Sequence, residues 1–125
     1  QNHNRSVDFF AVGVIIYECM FQRRPFIGKT RRDIREHMCH TDIKIKHARL
    51  PYGWSYEAAD FINQCIKRKK FERLGHRGVS EVKNHPWLKD FDWKGLYNKT
   101  LKAPFVPQSK ENYDTKATSY AFKDE

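Results

Sequence analysis

The chain has 125 residues, a mass of 15.0 kDa and a formal charge of +9, which suits one modest domain able to bury a core of its own. Hydrophobic residues make up 39% of it, and nine Phe, six Tyr and three Trp argue against wholesale disorder. The longest apolar run, Phe9 to Tyr17, is far too short for a membrane helix, no signal-peptide pattern is expected, and three scattered cysteines make no disulfide framework. These features exclude membrane spans, secreted miniproteins and collagen-like fibres.

Val7 to Phe21 is apolar almost all round, so the expected element is a helix buried on every side. Ser6 or Asp8 supplies acceptors for its first amides, and Pro25 stops it after the loop. Lys29 to His40 is basic, with Ile34 and Met38 four apart, and predicts a solvent-facing helix. Residues 41–54, with Leu50-Pro51-Tyr52-Gly53, form a turn-rich connector. Ser55 is the N-cap of the best-signalled helix, which starts at Tyr56 and carries its apolar stripe through Phe61, Ile62, Cys65 and Ile66. Gly75 and Gly78 bracket a turn, and Val79 and Val82 lie on a short helix ending before Pro86. Asp92 caps a last helix from Trp93 to Lys99, and an extended tail begins at Ala103. The fold class is mainly α: four or five helices and a tail. The first 108 residues hold +10, because residues 109–125 set three Lys against four acids. Such a basic surface suits phosphates, acidic peptides or anionic surfaces.

Taken singly, the motifs carry little chemistry. Gly75-His76-Arg77-Gly78 has the form of a nucleic-acid clamp, but no alternating strands surround it, so a helix–helix turn is expected. His37, Cys39 and His40 lack the further donors that a closed zinc site needs, so no metal site is expected. Asn4-Arg5-Ser6 and Asn98-Lys99-Thr100 match a glycosylation pattern by chance. No phosphate-cradling glycine loop or nucleophile elbow is encoded.

Taken in order, several strings resemble one family. Ser6-Val7-Asp8-Phe9-Phe10-Ala11-Val12-Gly13-Val14-Ile15-Ile16-Tyr17-Glu18 is similar to the central helix of the C-lobe of eukaryotic protein kinases, and Arg24-Pro25-Phe26 follows as in that family. Phe71-Glu72-Arg73-Leu74-Gly75, Gly78-Val79 and Lys83-Asn84-His85-Pro86-Trp87 resemble its next stretch. Asp92-Trp93 and Lys102-Ala103-Pro104-Phe105-Val106-Pro107 resemble the opening of the tail of the AGC group, which includes the cyclic-nucleotide-dependent serine/threonine kinases.

The resemblance implies a partial kinase catalytic domain over residues 1–90, its helical C-lobe, and an AGC-type C-terminal extension over 91–125. It implies that Asp8 supports the catalytic loop, or is an ordinary cap. It implies that Arg73 pairs with the glutamate of the A-P-E motif, which would fall just before Gln1. Left without that partner, Arg73 is expected to recruit a neighbouring acid or to destabilise the chain. Glu18 matches a carboxylate that receives a substrate arginine, or is an ordinary helix-end acid. Trp93 and Phe105 are expected to be packing anchors.

The family's Gly-rich loop, lysine of the third strand, H-R-D loop and D-F-G aspartate all precede this region. The chain alone is therefore expected to be inactive, with no catalytic, cofactor-binding or metal residues, while ATP and Mg²⁺ serve the full-length parent. The implied partners are the parent's protein substrate and the N-terminal part of the same protein. The rival reading is a non-catalytic kinase-like structural subunit of a larger, cytoskeletal assembly. Nucleic-acid binding ranks below both, because the aromatics sit in packing motifs. The expected address is cytoplasmic, with cytoskeletal association on the rival reading.

Overall fold

The computed structural model describes residues 5–108, so Asn4 of the first glycosylation pattern and tail residues 109–125 lie outside the described residues. The described residues contain five α-helices: α1 (Ser6–Phe21), α2 (Arg31–His40), α3 (Tyr56–Cys65), α4 (Val79–Lys83) and α5 (Trp93–Tyr97), with three short 3₁₀ turns between them. No strand occurs among the described residues, and the mainly helical architecture agrees with the sequence pattern. The chain divides into two compact units, Gln1–Phe91 and Asp92–Glu125.

In the first unit α1 packs chiefly on α3. The α3 stripe fills the interface: Ala58, Ala59, Ile62 and Ile66 meet Tyr17 and Met20, with Ile45 from the connector completing the cluster. A second cluster of Phe61, Cys65, Leu74 and Val82 lies beside it, joined by Phe9 and Trp87. Gly13 makes the close approach: a methyl there would sit 2.6 Å from Cys65 Cβ and 2.9 Å from Ile66 Cγ2. Gly75, with φ of 85°, has no room for a side chain against the Phe9 ring and takes a conformation that other residues resist. Burial pushes the Cys65 thiol up to about 12.

Helix α3 starts at its expected cap, while α2, expected from Lys29, starts at Arg31 behind a cap that was not anticipated. Thr30 and Asp33 form a capping box, each side chain receiving the other's backbone N–H. Ser55 Oγ accepts the Ala58 N–H at 3.1 Å. Hydrogen bonds from its own backbone and then from Ser55 hold the exposed Glu57 carboxyl below 4.5. Helix α2 buries no residue, as its basic face predicts.

Helix α1 departs from expectation twice. Its N-cap is Arg5, with no side-chain hydrogen bond at the cap, and Ser6 lies inside the helix, fully buried. The helix is also not buried all round. Tyr17, Met20 and Gly13 are covered, but Val7 (44%), Val12 (39%) and Ile15 (60%) are exposed, and Ala11 with them. Burial requires a neighbour on each side, and the described residues cover one face only.

In the second unit Asp92 Oδ1 accepts the Gly95 N–H at 2.8 Å and starts α5 as its sequence predicts, though the helix stops at Tyr97. Residues 101–108 form no helix or strand and are exposed. Phe105, expected to be an anchor, is 77% exposed among the described residues.

Candidate functional site

The bare side of α1 and the surfaces beside it carry the residues that the sequence singled out. Asp8 stands in the first turn of α1, exposed, and its carboxylate has no hydrogen-bond or ion-pair partner among the described residues. It does not cap the helix. A carboxylate at this end is favoured by the helix dipole and is free to accept hydrogen bonds from outside.

Ten residues later Glu18 lies on the same side of the helix as Ile15, its Oε1 3.8 Å from Arg24 Nε, with both side chains well exposed. Phe10, Ala11, Val14, Pro25 and Phe26 wall a shallow cavity of about 390 Å³ beside it. Phe26 closes one side by stacking on Phe10 at 5.8 Å and meeting the His37 ring edge-on. An open apolar trough with one carboxylate on its rim can hold an extended chain and orient a cation.

Arg73 lies against Phe10 of α1, half-buried. Its Nε donates to the Lys67 carbonyl at 2.5 Å and its Nη2 to the Arg68 carbonyl at 3.0 Å, and its guanidinium stands 4.5 Å from the Phe10 ring centroid. Desolvation lowers its pKa. No carboxylate pairs with it among the described residues, so the neighbouring acid expected from the sequence is replaced by two carbonyls and an aromatic face. The structure thus brings Arg73 to Phe10, whose ring also walls the trough beside Glu18, while Asp8 stands apart at the start of the helix.

The remaining motifs resolve into structure. The glycine pair forms a turn, as predicted, held by Glu81 Oε2, which accepts the Gly75 N–H at 2.9 Å and the Arg77 N–H at 3.2 Å. His37 Nδ1 lies 3.2 Å from both the N–H and the carbonyl of Ile27, so it is committed to the preceding turn. Among the described residues no three His, Cys, Asp or Glu side chains gather as metal donors, so no metal-dependent step is derived from this chain.

Two further polar groups, His85 and Asn63, hold the fold in roles that no motif assigns. Buried His85 accepts the Trp87 N–H at Nδ1, and its Nε2 lies 3.3 Å from both Asp60 Oδ2 and Gln64 Nε2. Histidine is not among the residues that commonly signal an N-cap, so this role was not announced by residue type. Asn63 Oδ1 accepts the Ile45 N–H at 2.7 Å and its Nδ2 donates to the Ile45 carbonyl at 3.0 Å. No spacing rule announces that clamp, which joins residues 18 apart.

Comparison with known proteins gives a consistent result. The protein kinase domain model matches residues 1–88. Among curated relatives, "Serine/threonine-protein kinase sgk-1" of Caenorhabditis elegans is 29% identical over 121 residues, covering 96% of this chain and 25% of that protein. "Probable serine/threonine protein kinase IRE" of Arabidopsis thaliana is 38% identical over 115 residues, covering 92% and 9%. "cAMP-dependent protein kinase catalytic subunit 3" of Drosophila melanogaster is 32% identical over 118 residues, covering 93% and 19%. The chain spans a quarter or less of the length of each of these relatives.

Proposed function

Because this chain belongs to the protein kinase domain family, we propose that it is the C-lobe portion of an AGC-group serine/threonine kinase of the cyclic-nucleotide-dependent type. In this reading residues 1–90 are the partial catalytic domain and 91–125 open the group's tail. The longer protein binds ATP and Mg²⁺ and phosphorylates serine or threonine of protein substrates; this chain supplies docking and support.

The observation that carries the reading is the bare apolar face of α1 with the unpaired Asp8 at its start. Covering an exposed aliphatic side chain is worth about 1.5–3 kcal/mol, so Val7, Val12 and Ile15 together favour a strong association with the chain that precedes them. Asp8 then meets the backbone amides of a catalytic loop laid over that face. Arg73, already oriented by two carbonyls, receives a glutamate from the same preceding segment, and a charge-assisted pair forms in a half-buried setting. Glu18, on the rim of its trough, takes a basic side chain of the substrate once Arg24 yields. The cytoplasm is the address that accords with this chemistry.

The test is to sequence and express the longer protein and assay it with ATP, Mg²⁺ and a peptide bearing arginines before its serine. The proposal expects phosphorylation, lost without the upstream lysine and aspartates, and a Glu18→Gln variant with a KM for that peptide raised about tenfold. It expects no ATP binding by residues 1–125 alone. An upstream sequence lacking those groups would support the non-catalytic structural reading instead.

A further inference from the structure

The connector leaves α2, crosses the end of α3 and is fastened there twice. Asn63 grips both backbone groups of Ile45. Arg68 Nη1 donates to the Cys39 carbonyl at 2.8 Å, tying the exit of α3 to the end of α2. Between these fastenings lies a cavity of about 270 Å³. Ile43 and buried Ile66 form part of its wall, and Lys44, Lys67, Arg68 and Lys69 reach its edge.

The charges there do not balance. Asp42 and Glu72 also line the cavity, but each has a cation: Asp42 Oδ1 is 3.8 Å from Arg68 Nε, and Glu72 Oε1 is 3.2 Å from Lys69 Nζ. Lys44 and Lys67 have no acidic partner among the described residues, which leaves two unmatched positive charges on one small concave surface. The extended backbone keeps Lys44 there: with Ile45 turned inward to the core, its neighbour faces outward. The C-terminal dipole of α3 offsets part of this charge, but its reach is about one turn.

We propose that this cavity binds a phosphate dianion, held by Lys44 and Lys67 with the free N–H groups of Arg68. Two unmatched cations equal the charge of a phosphate, the guanidinium is fixed before any ligand arrives, and the volume holds one such group with space left for water or for the chain that carries it. The assignment is independent of the kinase reading, since it uses none of Asp8, Glu18 or Arg73.

The experiment is an NMR titration of the longest soluble form of the protein with sodium phosphate at constant ionic strength, and in parallel with a phosphoserine peptide and its unmodified counterpart. Saturable shifts of the Asn63 side-chain amide and the Arg68 Nε–H are expected. Apparent affinity should fall about tenfold or more in Lys44→Gln/Lys67→Gln and stay unchanged in Lys29→Gln. Tighter binding of the phosphopeptide than of free phosphate assigns the phosphate to a modified protein; the reverse assigns it to a free anion. Shifts that fail to saturate with both free phosphate and the phosphopeptide, or an equal loss in Lys29→Gln, would overturn the proposal.

Discussion

Helices α1 and α3 pack against each other, yet they relate to the chain in opposite ways. Helix α3 is amphipathic, capped by Ser55, and finds every partner its apolar stripe requires within this chain. Helix α1 is apolar on both sides, begins with no side-chain hydrogen bond at its cap, and among the described residues has neighbours on one side only. The contrast teaches that a helix's composition states how much burial it is built for, while the surrounding chain decides how much it receives. Helix α3 is satisfied here, and α1 is half satisfied.

The comparison breaks most readily at the packed face. Phe61→Ala, which empties a site only 2% exposed, should cost about 3–5 kcal/mol in chemical denaturation. Ile15→Ala on the bare face of α1 should stay within about 0.5 kcal/mol. Equal losses at the two positions would show that α1 is covered after all. Gly13→Ala should cost about 1–3 kcal/mol by wedging α1 from Cys65 and Ile66.

The caps sharpen the contrast. Ser55→Ala should lose about 1 kcal/mol, whereas Asp8→Ala, which removes no observed hydrogen bond, should be nearly neutral in a thermal melt of this chain. The smallest effect is chemical. Cys19 and Cys39 are exposed and Cys65 is buried, so a maleimide should label two thiols in the folded chain and three in denaturant. Because the Cys65 pKa is higher folded than the ordinary 9.0, its contribution to stability is intact below pH 9 and is lost as pH rises from there toward about 12.

How much of this was legible follows from the range of each interaction. The caps of α3 and α5, the turn at Gly75 and the solvent-facing α2 rest on spacings of a few residues, so the sequence displays them; the Thr30–Asp33 box is as local, but the expected helix ran past it from Lys29. The stripe from Ala58 to Ile66 likewise predicts its own burial by periodicity. The exposure of Val7, Val12 and Ile15 was illegible because apolar character records a preference for cover and carries no account of the neighbours present. Arg73 shows the same limit in polar form. Its need for a partner was evident, but that two carbonyls and the Phe10 ring would meet it depends on a turn six residues long folding back. The Asn63 clamp on Ile45 depends on tertiary geometry alone.

The central claim is that the uncovered side of α1 is the seat of a catalytic apparatus supplied by the rest of the protein. Hydroxyl-radical footprinting of Val12 and Ile15, in residues 1–125 alone and in the longer protein, tests it most directly. Strong modification of both in the shorter form and protection in the longer one is the predicted result. Equal modification in the two forms would contradict it.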